Sequence, residues 1–153
     1  MDTFYYSSPV GILELKSDNN QITQLLFKDS AGVSSEVLSD VMKECIHQLD
    51  EYFAGQRQNF SVPLSPEGTD FQKSVWDALL TIPYGQTISY KQLAERVQNP
   101  KACRAVGTAN GRNPIAIIIP CHRVIAANGT LGGYAGGLDL KTTLLKLEGI
   151  DRF

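Results

Sequence analysis

The chain lacks the side chains that a structural zinc site needs. Its 153 residues hold two histidines, three cysteines and no Cys-x-x-Cys pair. Cys45, Cys103 and Cys121 are odd in number and follow no framework spacing. The sequence therefore predicts free thiols in a reducing setting, and a cytoplasmic location. The start, Met1-Asp2-Thr3-Phe4-Tyr5-Tyr6, has no basic stretch followed by an apolar one, so no signal peptide is read there. No apolar run approaches the roughly 20 residues of a membrane span. Internal repeats and low-complexity tracts are also missing. Net charge is small, −2, which alone argues weakly against a nucleic-acid partner.

The distribution of charge says more. Residues 1–70 hold four bases and eleven acids, whereas residues 85–125 hold six bases and one acid. Such asymmetry suggests an acidic supporting part and a basic working face. The length predicts one domain or two small ones, and it suffices for a core without staples. Residues 4–6, 11–16 and 22–28 read as short strands separated by Ser-Pro and Asp-Asn turns. From Ser34 or Ser35 to Phe53, apolar residues recur at helical spacing, with Cys45 on the apolar stripe and His47 off it. Residues 54–68, rich in Pro and Gly, read as a linker. The expected domains are 1–68, a small supporting unit of strands and a helix, and 69–153, mostly helical.

The second domain opens on a capping box, Thr69 with Gln72, and a helix through Trp76 to Leu80. Ser89 with Gln92 is a second capping box, starting a short helix to about Val97. Asn99-Pro100 reads as the cap and first turn of another helix, ending near Gly111. Two short helices joined by a tight turn suggest a helix-turn-helix, here winged-helix-like, so the fold class is α+β. The second of these helices is nearly stripped to small residues, among them Gly107 and Thr108, and Arg104 projects alone between Lys101 and Arg112. Such a helix suits close entry into a nucleic-acid groove, with Arg104 as a wedge, or equally close helix–helix packing.

The chain is organised around residues 115–125. An apolar run delivers Pro120, Cys121, His122 and Arg123, then Val124 and Ile125. This reads as a buried strand or buried extended segment. Either Cys121 is a small buried hydrophobe, or the adjoining cationic groups make it a reactive thiolate. Residues 132–137 set Tyr134 among four glycines, a loop whose backbone can approach a ligand closely. A last helix opens at Leu138 or Asp139 and ends in Glu148-Gly149. A carboxylate at that end opposes the helix dipole, which points to a specific partner such as a histidine.

Together these residues resemble the O6-alkylguanine-DNA alkyltransferases, the methylated-DNA–protein-cysteine methyltransferases. The resemblance rests on Pro120-Cys121-His122-Arg123-Val124, Arg104-Ala105-Val106-Gly107, Asn113-Pro114, Tyr134-Ala135-Gly136-Gly137 and Leu144-Leu145 to Glu148-Gly149, in the family's order. It is close over residues 71–149 and general before them. It implies a monomer that takes an alkyl group from O6 of guanine, and O4 of thymine, irreversibly onto Cys121, with no cofactor and no metal. A Cys–water–His–Glu relay would map to Cys121, His122 and Glu148. Asn113 would tie the site's backbone, and Tyr90 would donate toward the leaving base. Tyr134 and Ala135 would meet a nucleotide flipped out of duplex DNA. Arg104 would replace it in the stack, and the small-faced helix would lie in the minor groove. Lys101, Gly107, Thr108, Arg112 and Arg123 would join the DNA contacts. Ala135 departs from relatives with serine after the loop tyrosine.

Two other classes fit these residues less well. A non-catalytic alkyltransferase-like lesion binder would lack the cysteine that is present here. A cysteine hydrolase would need Cys121 and His122 to pair, yet neighbours in an extended segment face opposite ways.

Overall fold

The computed structural model describes residues 1–134 and 136–153; Ala135 lies outside them. The chain divides into two compact units. One holds Met1–Glu67 with Pro114–Ile118, and the other holds Gly68–Asn113 with Ile119–Phe153. The fold class expected from the sequence holds: a small N-terminal sheet with one helix, then a mostly helical C-terminal part.

In the first unit, β1 (Asp2–Ser8), β2 (Gly11–Asp18) and β3 (Gln21–Lys28) form an antiparallel meander. The register sets Phe4 beside Leu15 and Tyr6 beside Leu13, and on the other side Leu15 beside Leu25. Helix α1 (Asp40–Phe53) packs on all three strands, burying Val41, Met42, Cys45, Leu49 and Tyr52. It starts later than the spacing suggested. Ser39 is its cap, accepting from the Met42 amide. Ser34 and Ser35 are spent elsewhere: their hydroxyls accept from the amides of Tyr5 and Thr3 along β1. Val37, expected on the apolar stripe, is 84% exposed.

The stretch read as a linker is partly structured. Leu64 bridges Ile22, and Gln48 bonds both the backbone and the side chain of Ser61. The apolar run at 115–118 is buried as expected, yet it is not a strand. Ile115 makes one bridge to Leu25, and the chain then turns, with Ile117 at φ +70°. Its backbone groups find partners in Leu25 and within the turn itself, so burial does not require a ladder.

The second unit follows its capping signals. Both boxes are formed, at Thr69–Gln72 for α2 (Asp70–Leu79) and at Ser89–Gln92 for α3 (Tyr90–Arg96). The expected cap at Asn99 is not. Gln98 takes φ +60° and closes α3, Asn99 lies in the turn, and α4 (Cys103–Gly111) begins after Ala102 without a side-chain cap. Cys103, predicted to be a free thiol, is free and exposed at the start of that helix. Trp76 on α2 donates its ring N–H to the Ala109 carbonyl at 2.9 Å, locking α2 against α4. A parallel pair, β4 (Ile88–Ser89) and β5 (Val124–Ile125), brackets α3 and α4 in the sequence. Helix α5 (Leu138–Leu147) buries Lys141, Leu144 and Leu145. Among the described residues, no helix is long and apolar enough to cross a membrane.

The Thr69 cap makes a direct prediction. Thr69→Ala removes the acceptor for the Gln72 amide and costs about 1 kcal/mol of stability. Urea denaturation measures it, and an unchanged midpoint would contradict the capping assignment.

Candidate active site

Cys121, His122 and Arg123 occupy one 3-10 turn, not an extended segment, and all three are buried. The turn follows from Pro120, whose carbonyl accepts from the Arg123 amide. Cys121 and His122 are therefore not neighbours on opposite faces of an extended segment, as the sequence suggested. Cys121 and His122 still do not pair: His122 bonds Glu148 through Nε2, its Nδ1 has no hydrogen-bond partner among the described residues, and the Cys121 thiol bonds Asn113 and Tyr134.

Glu148, the C-terminal cap of α5, is the hub. Its Oε2 lies 2.7 Å from His122 Nε2 and 3.1 Å from an Arg123 terminal nitrogen, while its Oε1 accepts from Arg123 Nε at 2.7 Å. The second Arg123 terminal nitrogen donates to the Ile82 carbonyl at 2.7 Å. Burial alone would raise the Glu148 carboxyl. The His122 contact and the bidentate Arg123 guanidinium overturn that and hold it at about 2. Burial lowers the His122 imidazole despite Glu148 beside it. A neutral imidazole facing an ionised carboxylate carries its proton on Nε2, which leaves Nδ1 as an acceptor. Nδ1 is buried and has no hydrogen-bond partner among the described residues.

The Cys121 thiol is pushed up by burial. The Asn113 side chain, the Lys141 charge and the Tyr134 hydroxyl pull it back without reversing the shift. Asn113 donates to the Ile119 carbonyl at 2.7 Å, tying the backbone just ahead of the turn. Tyr90 is half-buried on α3, raised by burial and by the neighbouring Cys121, with its hydroxyl 3.4 Å from the Gly133 carbonyl. The loop passes close to it. Gly132 has φ +71°, and a Cβ there would lie 3.0 Å from the Tyr90 ring, so only glycine fits without a shift.

Arg123 corrects the sequence reading. It was expected among DNA contacts, yet it is 7% exposed and its guanidinium is taken by Glu148 and Ile82. It positions the carboxylate. Lys101, Arg104, Thr108 and Arg112 are exposed on or beside α4, as a contacting face requires, and Gly107 turns toward the Tyr90 ring. The Ala135 expectation falls outside the described residues.

Sequence reasoning missed Lys141. It is fully buried, and its Nζ donates to the carbonyls of Val124, Leu131 and Gly133 at 2.6, 2.6 and 3.1 Å. Burial lowers its ammonium to about 8. It fastens the loop before Tyr134 to the strand that follows the cysteine turn. A signal existed, since Lys141 shares helical spacing with Leu144, Leu145 and Glu148 on the apolar face of α5.

Comparison with known proteins adds independent findings. Residues 70–150 match the family model for the 6-O-methylguanine DNA methyltransferase, DNA binding domain. Residues 3–66 match the model for the 6-O-methylguanine DNA methyltransferase, ribonuclease-like domain. The chain is 52% identical over 149 residues to the methylated-DNA–protein-cysteine methyltransferase of Methanosarcina acetivorans, covering 94% of this chain and 96% of that one. With the protein of the same name from Mycobacterium leprae it shares 52% identity over 145 residues, 92% and 88% of the two chains. The crystal structure of Mycobacterium tuberculosis OGT in complex with DNA superposes with a TM-score of 0.85 at 47% identity, covering 94% of this chain and 90% of that one.

The hub carries a pH signature. Glu148 sits at about 2 in the folded chain against an ordinary value of 4.5. Its stabilising contribution is complete above about pH 4.5 and is lost as pH falls towards 2. Glu148→Gln therefore costs about 3 kcal/mol at neutral pH, leaving Arg123 buried and unpaired, and clearly less at pH 3. Chemical denaturation at the two pH values checks this; an equal penalty at both would contradict it.

Proposed function

Because this chain belongs to the family of 6-O-methylguanine DNA methyltransferases, we propose that it repairs DNA directly, moving the alkyl group of O6-alkylguanine onto the sulfur of Cys121. The observation that carries the residue assignment is the buried network Cys121, His122, Glu148 and Arg123, gathered on one turn and one helix end.

The chemistry follows from the protonation states. Cys121 rests as a thiol, since burial disfavours the thiolate. His122, neutral and with Nδ1 as its acceptor, takes the thiol proton by way of a water, and the Glu148 carboxylate stabilises the imidazolium that forms. The sulfur then attacks the alkyl carbon. An S–C bond forms, the C–O6 bond breaks, and its electron pair passes into the purine. Tyr90, a phenol still protonated at neutral pH, donates its proton to the departing base, and the proton that His122 took from the thiol balances that loss through solvent, so both side chains end neutral. The same steps serve O4 of thymine. Asn113 and Tyr134 hold the sulfur in place.

The product is a thioether, which has no good leaving group, so each molecule turns over once. O6 lies inside the base stack, so the nucleotide must leave it, at a cost of a few kcal/mol. The exposed small-faced side of α4 enters the minor groove, Arg104 fills the vacated position, and Lys101, Thr108 and Arg112 meet the sugar-phosphate backbone. Residues 69–153 form the DNA-binding and alkyl-transfer domain, and residues 1–68 support it. Three free thiols suit the reducing cytoplasm, where we place the protein.

Arg104→Ala tests the assignment of the finger. Single-turnover rates should fall about a hundredfold on duplex DNA carrying O6-methylguanine, and hardly at all with the free O6-methylguanine base, which needs no flipping. Equal losses on both substrates would contradict the role.

A further inference from the structure

We propose that Asn110 is a positioning residue that orients the water between Cys121 and His122. The inference rests on the reading of Cys121 as alkyl acceptor with His122 and Glu148 as its proton route. Asn110 lies on the inner face of α4 and is 4% exposed. Its Nδ2 reaches the Cys121 carbonyl at 3.5 Å, so its amide sits against the peptide that joins Cys121 to His122. Its Oδ1 is buried and has no hydrogen-bond partner among the described residues, and the same holds for His122 Nδ1. Buried polar atoms in native structures are almost always satisfied, by protein or by ordered water.

Both of these atoms are acceptors. With Nε2–H on Glu148, Nδ1 offers a lone pair, and an amide oxygen can only accept. A hydroxyl could donate to one of them. An ammonium could donate to both but has no lone pair for the thiol proton. A water has two O–H donors and an acceptor, so one molecule can serve Oδ1, Nδ1 and the Cys121 thiol together. The transfer then balances. The S–H bond breaks and its proton goes to the water's lone pair. The O–H aimed at Nδ1 breaks as the N–H forms, and the sulfur keeps the electron pair. The hydrogen held by Asn110 does not move, and that fixed bond keeps the lone pair turned toward the sulfur. Without it, the water is anchored at His122 alone and is free to rotate.

Two measurements test this. A crystal structure of the unaltered protein that resolves ordered waters should show one lying roughly 2.7–3.2 Å from both Asn110 Oδ1 and His122 Nδ1. The absence of a shared water there would overturn the inference, whatever the variants do. Alongside it, the pH profile of single-turnover transfer from duplex DNA carrying O6-methylguanine is recorded for Asn110→Leu and Glu148→Gln. Asn110→Leu should raise the midpoint by about one pH unit and slow transfer about tenfold at neutral pH. A midpoint moved by Glu148→Gln but not by Asn110→Leu would overturn the role of Asn110 and leave the relay intact. A midpoint moved by neither would overturn the relay and the inference together.

Discussion

The structure of the site depends on one buried carboxylate. Glu148 brings together three parts of the second unit: the end of α5, the cysteine turn and, through Arg123, the carbonyl of Ile82. A lone carboxylate in that position would be expelled or protonated. It stays ionised because Arg123 meets both of its oxygens and His122 meets one. The consequence is chemical as well as structural. An ionised Glu148 sets the tautomer of His122, and the tautomer turns Nδ1 into an acceptor. The same ion pair that holds the turn in place therefore prepares the imidazole to take a proton.

Lys141 performs the matching task for the loop. Its three carbonyl partners lie on either side of the glycine-rich approach to Tyr134. Gly132 and Gly133 would otherwise leave that segment free to sample many conformations. One buried ammonium replaces the side-chain packing that glycines cannot supply. Its positive charge also favours the thiolate of Cys121. Burial makes the cost of such a cation high, and its lowered pKa of about 8 reflects that cost.

What was legible in the sequence was local. The capping boxes at Thr69 and Ser89 were readable because both partners lie within one helical turn. The strands were readable from the turn residues that separate them. Several of the misreadings trace to a distant partner, and one to a local reversal of the chain. Ser34 and Ser35 resembled a helix start, but their hydroxyls serve the backbone of β1. Asn99-Pro100 resembled a cap, yet Gln98 had already reversed the chain. Arg123 was placed among the DNA contacts on the resemblance; only the fold reveals the carboxylate that claims it. Lys141 was overlooked because its partners are backbone carbonyls, which carry no signature in a sequence. Cys121, His122, Glu148, Asn113 and Tyr90 were named from the motifs, while the bonds of Lys141 and Arg123 were not.

The central claim is that Cys121 is the alkyl acceptor and acts once. The direct measurement is peptide mass spectrometry after incubation with duplex DNA containing O6-methylguanine in excess. The account predicts one methyl group on the peptide bearing Cys121, none on Cys45 or Cys103, and a yield that stops near one per protein molecule. Continued turnover beyond one equivalent, or methylation at another cysteine with Cys121 unchanged, would contradict it.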